Sequence, residues 1–130
     1  MIKKIILIAT FMSSILLAEM NWIPDLEDAY DVAEKENKIV MVMLSQEGCP
    51  GCEYMTDVVL KDDDVAKIFN RNFIAVYLDI HEDQVPLELK HFGTPTFYFL
   101  KADETILDVT RGTKNELDFL DKLENVKTLK

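Results

Sequence analysis

Cys49 and Cys52 are the only cysteines in the chain, and they stand in the run Glu47-Gly48-Cys49-Pro50-Gly51-Cys52. An apolar and β-branched stretch from Lys38 to Leu44 leads into them, and a helix-like segment from Glu53 to Lys61 leaves them. A C-x-x-C at a strand-to-helix junction reads as a dithiol/disulfide redox centre. A sulfur at a helix N-terminus faces unpaired backbone N–H groups and the positive end of the helix dipole. Both favour thiolate over thiol. The second cysteine falls in the first helical turn, close enough to close a small ring. One sulfur can then attack a partner's disulfide while the other resolves the mixed disulfide.

Three other uses of the pair fit less well. A structural zinc site takes four protein ligands, and here they would have to be Cys49, Cys52, His81 and His91. That spacing matches no compact zinc module. Haem attachment through C-x-x-C-H is excluded because Glu53 follows the second cysteine. A passive disulfide would close too short a loop to constrain the unfolded chain much.

The 130 residues suit one domain, with 48% apolar residues to build its core. Residues 1–18 read as a signal peptide: Lys3 and Lys4 form a basic start, an apolar run follows from Ile5 to Leu17, and Ala18 precedes the cut. The run is short for a membrane span, so residues 19–130 are expected as a mature domain that does not insert in the membrane. In an exported chain two cysteines are expected to form a disulfide, and the C-x-x-C spacing makes it an active one. The whole chain carries a formal charge of −10. Without residues 1–18 it keeps 12 basic and 24 acidic side chains, a formal charge of −12. Such a balance argues against nucleic acid or an anionic membrane surface as partner.

Along the chain, Asp25 to Glu36 carries Leu26, Ala29, Tyr30 and Ala33 at helical spacing, and Trp22 and Tyr30 read as core. Ile39 to Leu44 reads as a buried central strand, with Met41, Met43 and Met55 as core fillers. A helix is expected from Pro50 to about Leu60, with proline suited to its first turn. Asp62-Asp63-Asp64 opens another, with Val65, Ile68 and Phe69 on its apolar face. Phe73 to Ile80 reads as a second buried strand, Val85 to Phe92 as a short helix, Phe97 to Leu100 as a third strand and Thr105 to Thr110 as an edge strand. Lys114 to Val126 reads as an amphipathic helix with Leu117, Phe119, Leu120 and Leu123 inward. His81 and His91 are assigned to the surface, without catalytic duty.

This order of elements, with Cys49-Pro50-Gly51-Cys52 and Gly93-Thr94-Pro95-Thr96 as two separated motifs, resembles the thioredoxin superfamily over roughly Trp22 to Val126. The stretches Lys38 to Cys52 and Val65 to Asp79 look most like exported bacterial thioredoxin-like domains, including the soluble domain of the membrane thiol reductant conductor. The resemblance implies an α/β thioredoxin-like fold, a central mixed sheet of about four strands flanked by helices. It also implies Cys49 as nucleophile, Cys52 as resolving thiol, and Pro95 as a cis-proline facing them with Thr94 presenting backbone to a bound chain.

Three positions depart from thioredoxins proper. Gly48 stands where they carry tryptophan, Met43 where they bury an acid, and Tyr77 or Val76 where they place a lysine. The acid serves the proton of the resolving thiol, so Glu47 or a water is expected to relay it here.

The expected function is therefore a thiol–disulfide oxidoreductase that reduces or isomerises disulfides of periplasmic proteins. It would be recharged by a membrane or soluble electron donor, work as a monomer, and need no cofactor or metal. Strongly oxidising relatives are understood to hold a histidine between the cysteines; Pro50-Gly51 offers no such group, which points to the reducing end of the family. The alternatives are a disulfide-forming oxidase and a binding protein with a passive disulfide.

Overall fold

A computed structural model describes residues 19–130; the leader expected over residues 1–18 lies outside the described residues. The first helix, α1 (Leu26–Glu36), starts where the Asp25 carboxylate accepts the Asp28 N–H at 3.0 Å, satisfying one of the four donors a helix start leaves free. It ends at Asn37, which takes the left-handed conformation at φ 56°. Strand β1 (Ile39–Ser45) follows and is buried along all seven residues.

β1 is central because its sequence has no polar face to show. It pairs in parallel with β2 (Phe73–Asp79) and antiparallel with β3 (Thr96–Leu100), and β3 pairs antiparallel with β4 (Ile106–Arg111). The sheet order is β2-β1-β3-β4. Alternate residues of β1 feed two separate cores, as the period of two requires. Ile39, Met41 and Met43 pack with both cysteines, Phe69, Phe97 and Phe119 on one face. Val40, Val42 and Leu44 pack with Ala29, Tyr30 and Ala33 of α1 on the other.

The first face is covered by α2 (Pro50–Asp57), α3 (Asp63–Asn72) and α4 (Glu116–Lys127). The helix expected to run to Leu60 stops at Asp57, and Val59–Lys61 forms a separate 3₁₀ turn. Asp62 caps α3 by accepting the N–H groups of Asp64 and Val65, both at 3.0 Å.

Two further expectations are corrected. No helix forms over 85–92; the chain passes through turns, and Leu89 is its only buried residue. Pro86 removes a donor and disfavours the helical region for Val85. The Lys90 carbonyl is taken by the Tyr98 hydroxyl rather than by a helical N–H. Leu117 is not inward but 76% exposed. The buried stripe of α4 is Phe119, Leu123 and Val126, and a residue two positions before Phe119 points to the opposite side.

Candidate active site

Cys49 is the N-cap of α2, and its sulfur accepts the backbone N–H of Cys52 at 3.1 Å. A sulfur in this position takes one of the helix's free donors and lies at the positive end of its dipole. Pro50 occupies the first turn, where its missing N–H costs no bond. Cys49 and Cys52 are joined as a disulfide, and both are buried. The strand before the pair is buried and the loop Gln46–Gly48 is short, so β1 sets the sulfurs at the C-terminal edge of the sheet.

The second motif closes over the first. The Thr94–Pro95 peptide bond is cis, and the Thr94 hydroxyl donates to Cys49 Sγ at 3.4 Å. The Gly112 N–H donates to the Pro95 carbonyl at 2.9 Å, holding the loop against the start of the segment that leads to α4. A Cβ on Gly51 would lie 2.8 Å from Thr113 Cγ2 and 3.4 Å from Pro95 Cδ. Gly51 thus lies close against both the Thr113 side chain and the proline turn, and the two motifs and the Thr113 loop form one surface. Beside it the Arg111 guanidinium lies 5.0 Å from the centre of the exposed Phe92 ring, which precedes the Gly93–Thr96 turn.

Beneath the sulfurs the site is apolar. Met43, Met55 and Phe97 belong to the same buried cluster as Cys49 and Cys52. The register pairs Met43 with Tyr77 on one side and with Phe97 on the other. Tyr77, rather than Val76, thus stands opposite Met43, and its hydroxyl bonds the buried Ser45 hydroxyl at 2.8 Å. The floor of the site carries thioethers and rings where an acid and a lysine could have stood. Glu47 is exposed on the loop before Cys49.

Two side chains not singled out from sequence for the site lie beside Thr94. Gln46 Nε2 donates to Thr94 Oγ1 at 2.8 Å, and its Oε1 lies 3.1 Å from Nε2 of His81, which is at the surface as expected. One signal could have found them. Parallel pairing of β1 and β2 in the observed register sets Ser45 beside Asp79, so Gln46 and the residues after Asp79 emerge at the same edge. His91 does not join this group. Among the described residues no cluster of three or more His, Cys, Asp or Glu side chains is placed to hold a metal ion.

Chemically, the arrangement presents one sulfur at a helix start with two hydrogen-bond donors on it, a second sulfur one turn inside, and the cis-proline turn beside them.

A family model described as thioredoxin-like matches residues 21–102. A thioredoxin from Thermus thermophilus superposes with a TM-score of 0.71 at 26% identity, covering 83% of this chain and 87% of that one. Thioredoxin H4 of Arabidopsis thaliana is 28% identical over 90 residues, which span 67% of this chain and 71% of that protein. Spermatogenesis-associated protein 20 of Mus musculus is 30% identical over 63 residues, 48% of this chain but 8% of the relative's length. Two cysteines at a helix start, a neighbouring cis-proline turn and these likenesses agree, and the chain belongs to the thioredoxin-like family.

Proposed function

We propose that this chain is an exported thiol–disulfide oxidoreductase that reduces or isomerises disulfides of periplasmic proteins. The observation that carries the reading is the Cys49 sulfur as N-cap of α2, bonded to Cys52 and overlaid by the Thr94-Pro95 turn. In the reduced protein the Cys49 thiolate attacks one sulfur of a partner disulfide. A Cys49–partner S–S bond forms, the partner's own S–S bond breaks, and its second sulfur leaves as a thiolate that takes a proton from solvent. The Cys52 thiol then gives up its proton and attacks Cys49 Sγ, which forms the Cys49–Cys52 bond and releases the partner's first sulfur as a thiol. Two electrons pass to the partner, and a thiol donor, soluble or membrane-bound, returns the pair to the dithiol.

The apolar floor bears on the second step. Met43 and Met55 offer the Cys52 proton no carboxylate, so it leaves through water or through Glu47 at the mouth. Resolution is then slower than attack, and mixed disulfides persist long enough to be isomerised. Thr94 and Pro95 seat the partner's extended backbone beside the sulfurs. The dipeptide Pro50-Gly51 brings no cation to the thiolate, which leaves the disulfide comparatively stable and the couple on the reducing side.

Turnover tests the reading. Purified protein with dithiothreitol should accelerate reduction of insulin's interchain disulfides, and Cys49→Ser should abolish the acceleration. In glutathione buffers the pair should stay oxidised where strongly oxidising relatives are reduced. No acceleration by the wild type would leave a binding role with a passive disulfide. A pair that stays reduced in buffers that oxidise ordinary dithiols would make the protein an oxidase.

A further inference from the structure

Beyond the two cysteines and the proline turn, a chain of side-chain hydrogen bonds runs from the protein surface to the Cys49 sulfur. His81 Nε2 lies 3.1 Å from Gln46 Oε1, Gln46 Nε2 donates to Thr94 Oγ1 at 2.8 Å, and Thr94 Oγ1 donates to Cys49 Sγ at 3.4 Å. We propose that His81 and Gln46 are positioning residues, which fix the polarity of this chain so that the Thr94 hydroxyl hydrogen points at the nucleophilic sulfur. The proposal rests on the reading of Cys49 as the attacking thiol.

The logic is a count of hydrogens. A threonine hydroxyl has one hydrogen and two acceptor positions. It lies between two neighbours, the Gln46 side-chain amide and the Cys49 sulfur. When the amide offers its NH₂ group, the hydroxyl accepts there and its single hydrogen is left for the sulfur. When the amide is reversed, its carbonyl oxygen is the better acceptor, and the hydroxyl turns away from the sulfur. The orientation of Gln46 therefore decides whether Cys49 is hydrogen-bonded by Thr94.

His81 sets that orientation. An imidazole that donates from Nε2 requires the Gln46 carbonyl oxygen, which leaves the NH₂ group for Thr94. The imidazole is itself placed by its backbone. The Asp79 carboxylate accepts the N–H of His81 at 2.8 Å and that of Glu82 at 3.1 Å, and the Asp79 N–H donates to the Asp83 carboxylate at 2.7 Å. This turn follows β2, whose parallel pairing with β1 brings it alongside Gln46.

The effect is expected on the thiolate more than on the disulfide, because a bond to a charged acceptor is about twice as strong as one to a neutral acceptor. This site also has few other donors to offer. Pro50 has no N–H, Gly51 has no side chain, and among the described residues the only other donor to the sulfur is the Cys52 N–H. Thr94 thus makes the one side-chain hydrogen bond to Cys49, and two residues outside the cysteine motif hold it in place.

A double-mutant cycle tests the chain, read as the rate of Cys49 alkylation by iodoacetamide at pH 7 in the fully reduced protein. Thr94→Val should slow alkylation by roughly tenfold, the loss of about one hydrogen bond to a charged group. His81→Ala and Gln46→Leu should each slow it less, by about two- to fivefold, since water can replace part of the chain. The decisive value is His81→Ala made in the Thr94→Val background, where no further slowing is expected. Thr94→Ser should keep both the wild-type rate and its dependence on His81. The glutathione equilibrium should move toward the disulfide in the same order of variants.

An unchanged rate in His81→Ala, or equal slowing by His81→Ala with and without the Thr94 hydroxyl, would overturn the proposal. If Thr94→Val does not fold, His81→Ala against Gln46→Leu closes an equivalent cycle. Alkylation reads Cys49 alone, so the chain stands or falls separately from turnover. Inactivity of the wild type on insulin would sink the oxidoreductase reading and leave this result intact.

Discussion

A methyl group on Gly51 would meet Thr113 Cγ2 at 2.8 Å and Pro95 Cδ at 3.4 Å. Thr113 is exposed and the atom met is the end of its side chain, so the threonine can turn aside even though the next residue is tied down by the Lys114 N–H, which donates to Met55 Sδ at 3.4 Å. Gly51→Ala should therefore destabilise the oxidised protein by no more than about 1 kcal/mol, the low end for overpacking. Thr113→Ser removes the methyl, so Gly51→Ala/Thr113→Ser should recover that loss in urea denaturation. Away from the site, burial pushes the Tyr30 phenol up to about 12, helped by the negative charges of Glu104, Glu27 and Glu88. The unfolded phenol ionises near pH 10. Its contribution is fully present below that pH and is lost as pH rises toward 12, because the unfolded state ionises first. Stability measured between about pH 10 and pH 12 should fall less steeply in Tyr30→Phe than in the wild type. The cysteine pair was legible from its spacing, and the Gly93–Thr96 turn only through the resemblance, since by sequence alone it reads as a plain turn. The contact of Gln46 with His81 and Thr94 was not legible, because only tertiary structure sets these side chains beside one another.

The elements were legible where composition and periodicity agreed. β1 has seven consecutive buried residues and could only be central, and α1, α3 and α4 each start at an Asp or Asn that caps them. The cap of α3 gives a direct check. Asp62 accepts two backbone N–H groups, and Asp62→Ala should lower stability by about 1 kcal/mol, with Asp62→Asn nearly neutral. Equal losses in both variants would point to the acidic charge rather than the cap. The expected helix over 85–92 does not form because Pro86 interrupts the backbone pattern, and its large apolar residues Leu87 and Phe92 are both exposed, with no packing to hold a helix there. The end of α2 was misread by a few residues for a similar reason. The apolar Val58-Val59-Leu60 continues the helical pattern, but Val58 is exposed, and Val59 and Leu60 reach their burial under α3 and α4 through a 3₁₀ turn. Here periodicity picked out most of the inward residues, Leu117 excepted, and less reliably the backbone path that buries them.

Over the whole molecule, the two cores lie on opposite faces of one sheet, and the cysteine helix sits on the face that also carries α3 and α4. The cysteine pair is thereby mounted at the end of a central strand, and the surface beside it is built from loops, the Gly93–Thr96 turn, Phe92 and Thr113. If the proposed function holds, the acidic balance of the whole chain, 24 carboxylates against 14 basic side chains, would attract basic disulfide partners over acidic ones. Association with a basic disulfide peptide should weaken as salt rises, and association with an acidic one should strengthen or stay flat. The most direct test of the account is whether Cys49 alone forms the covalent intermediate. Reduced Cys52→Ser protein should be mixed with a peptide disulfide, and the adduct located by mass spectrometry. The account predicts one stable mixed disulfide, on Cys49, and no adduct with Cys49→Ser under the same conditions. Adduct forming equally on Cys52 in Cys49→Ser, or no adduct on either variant, would contradict it.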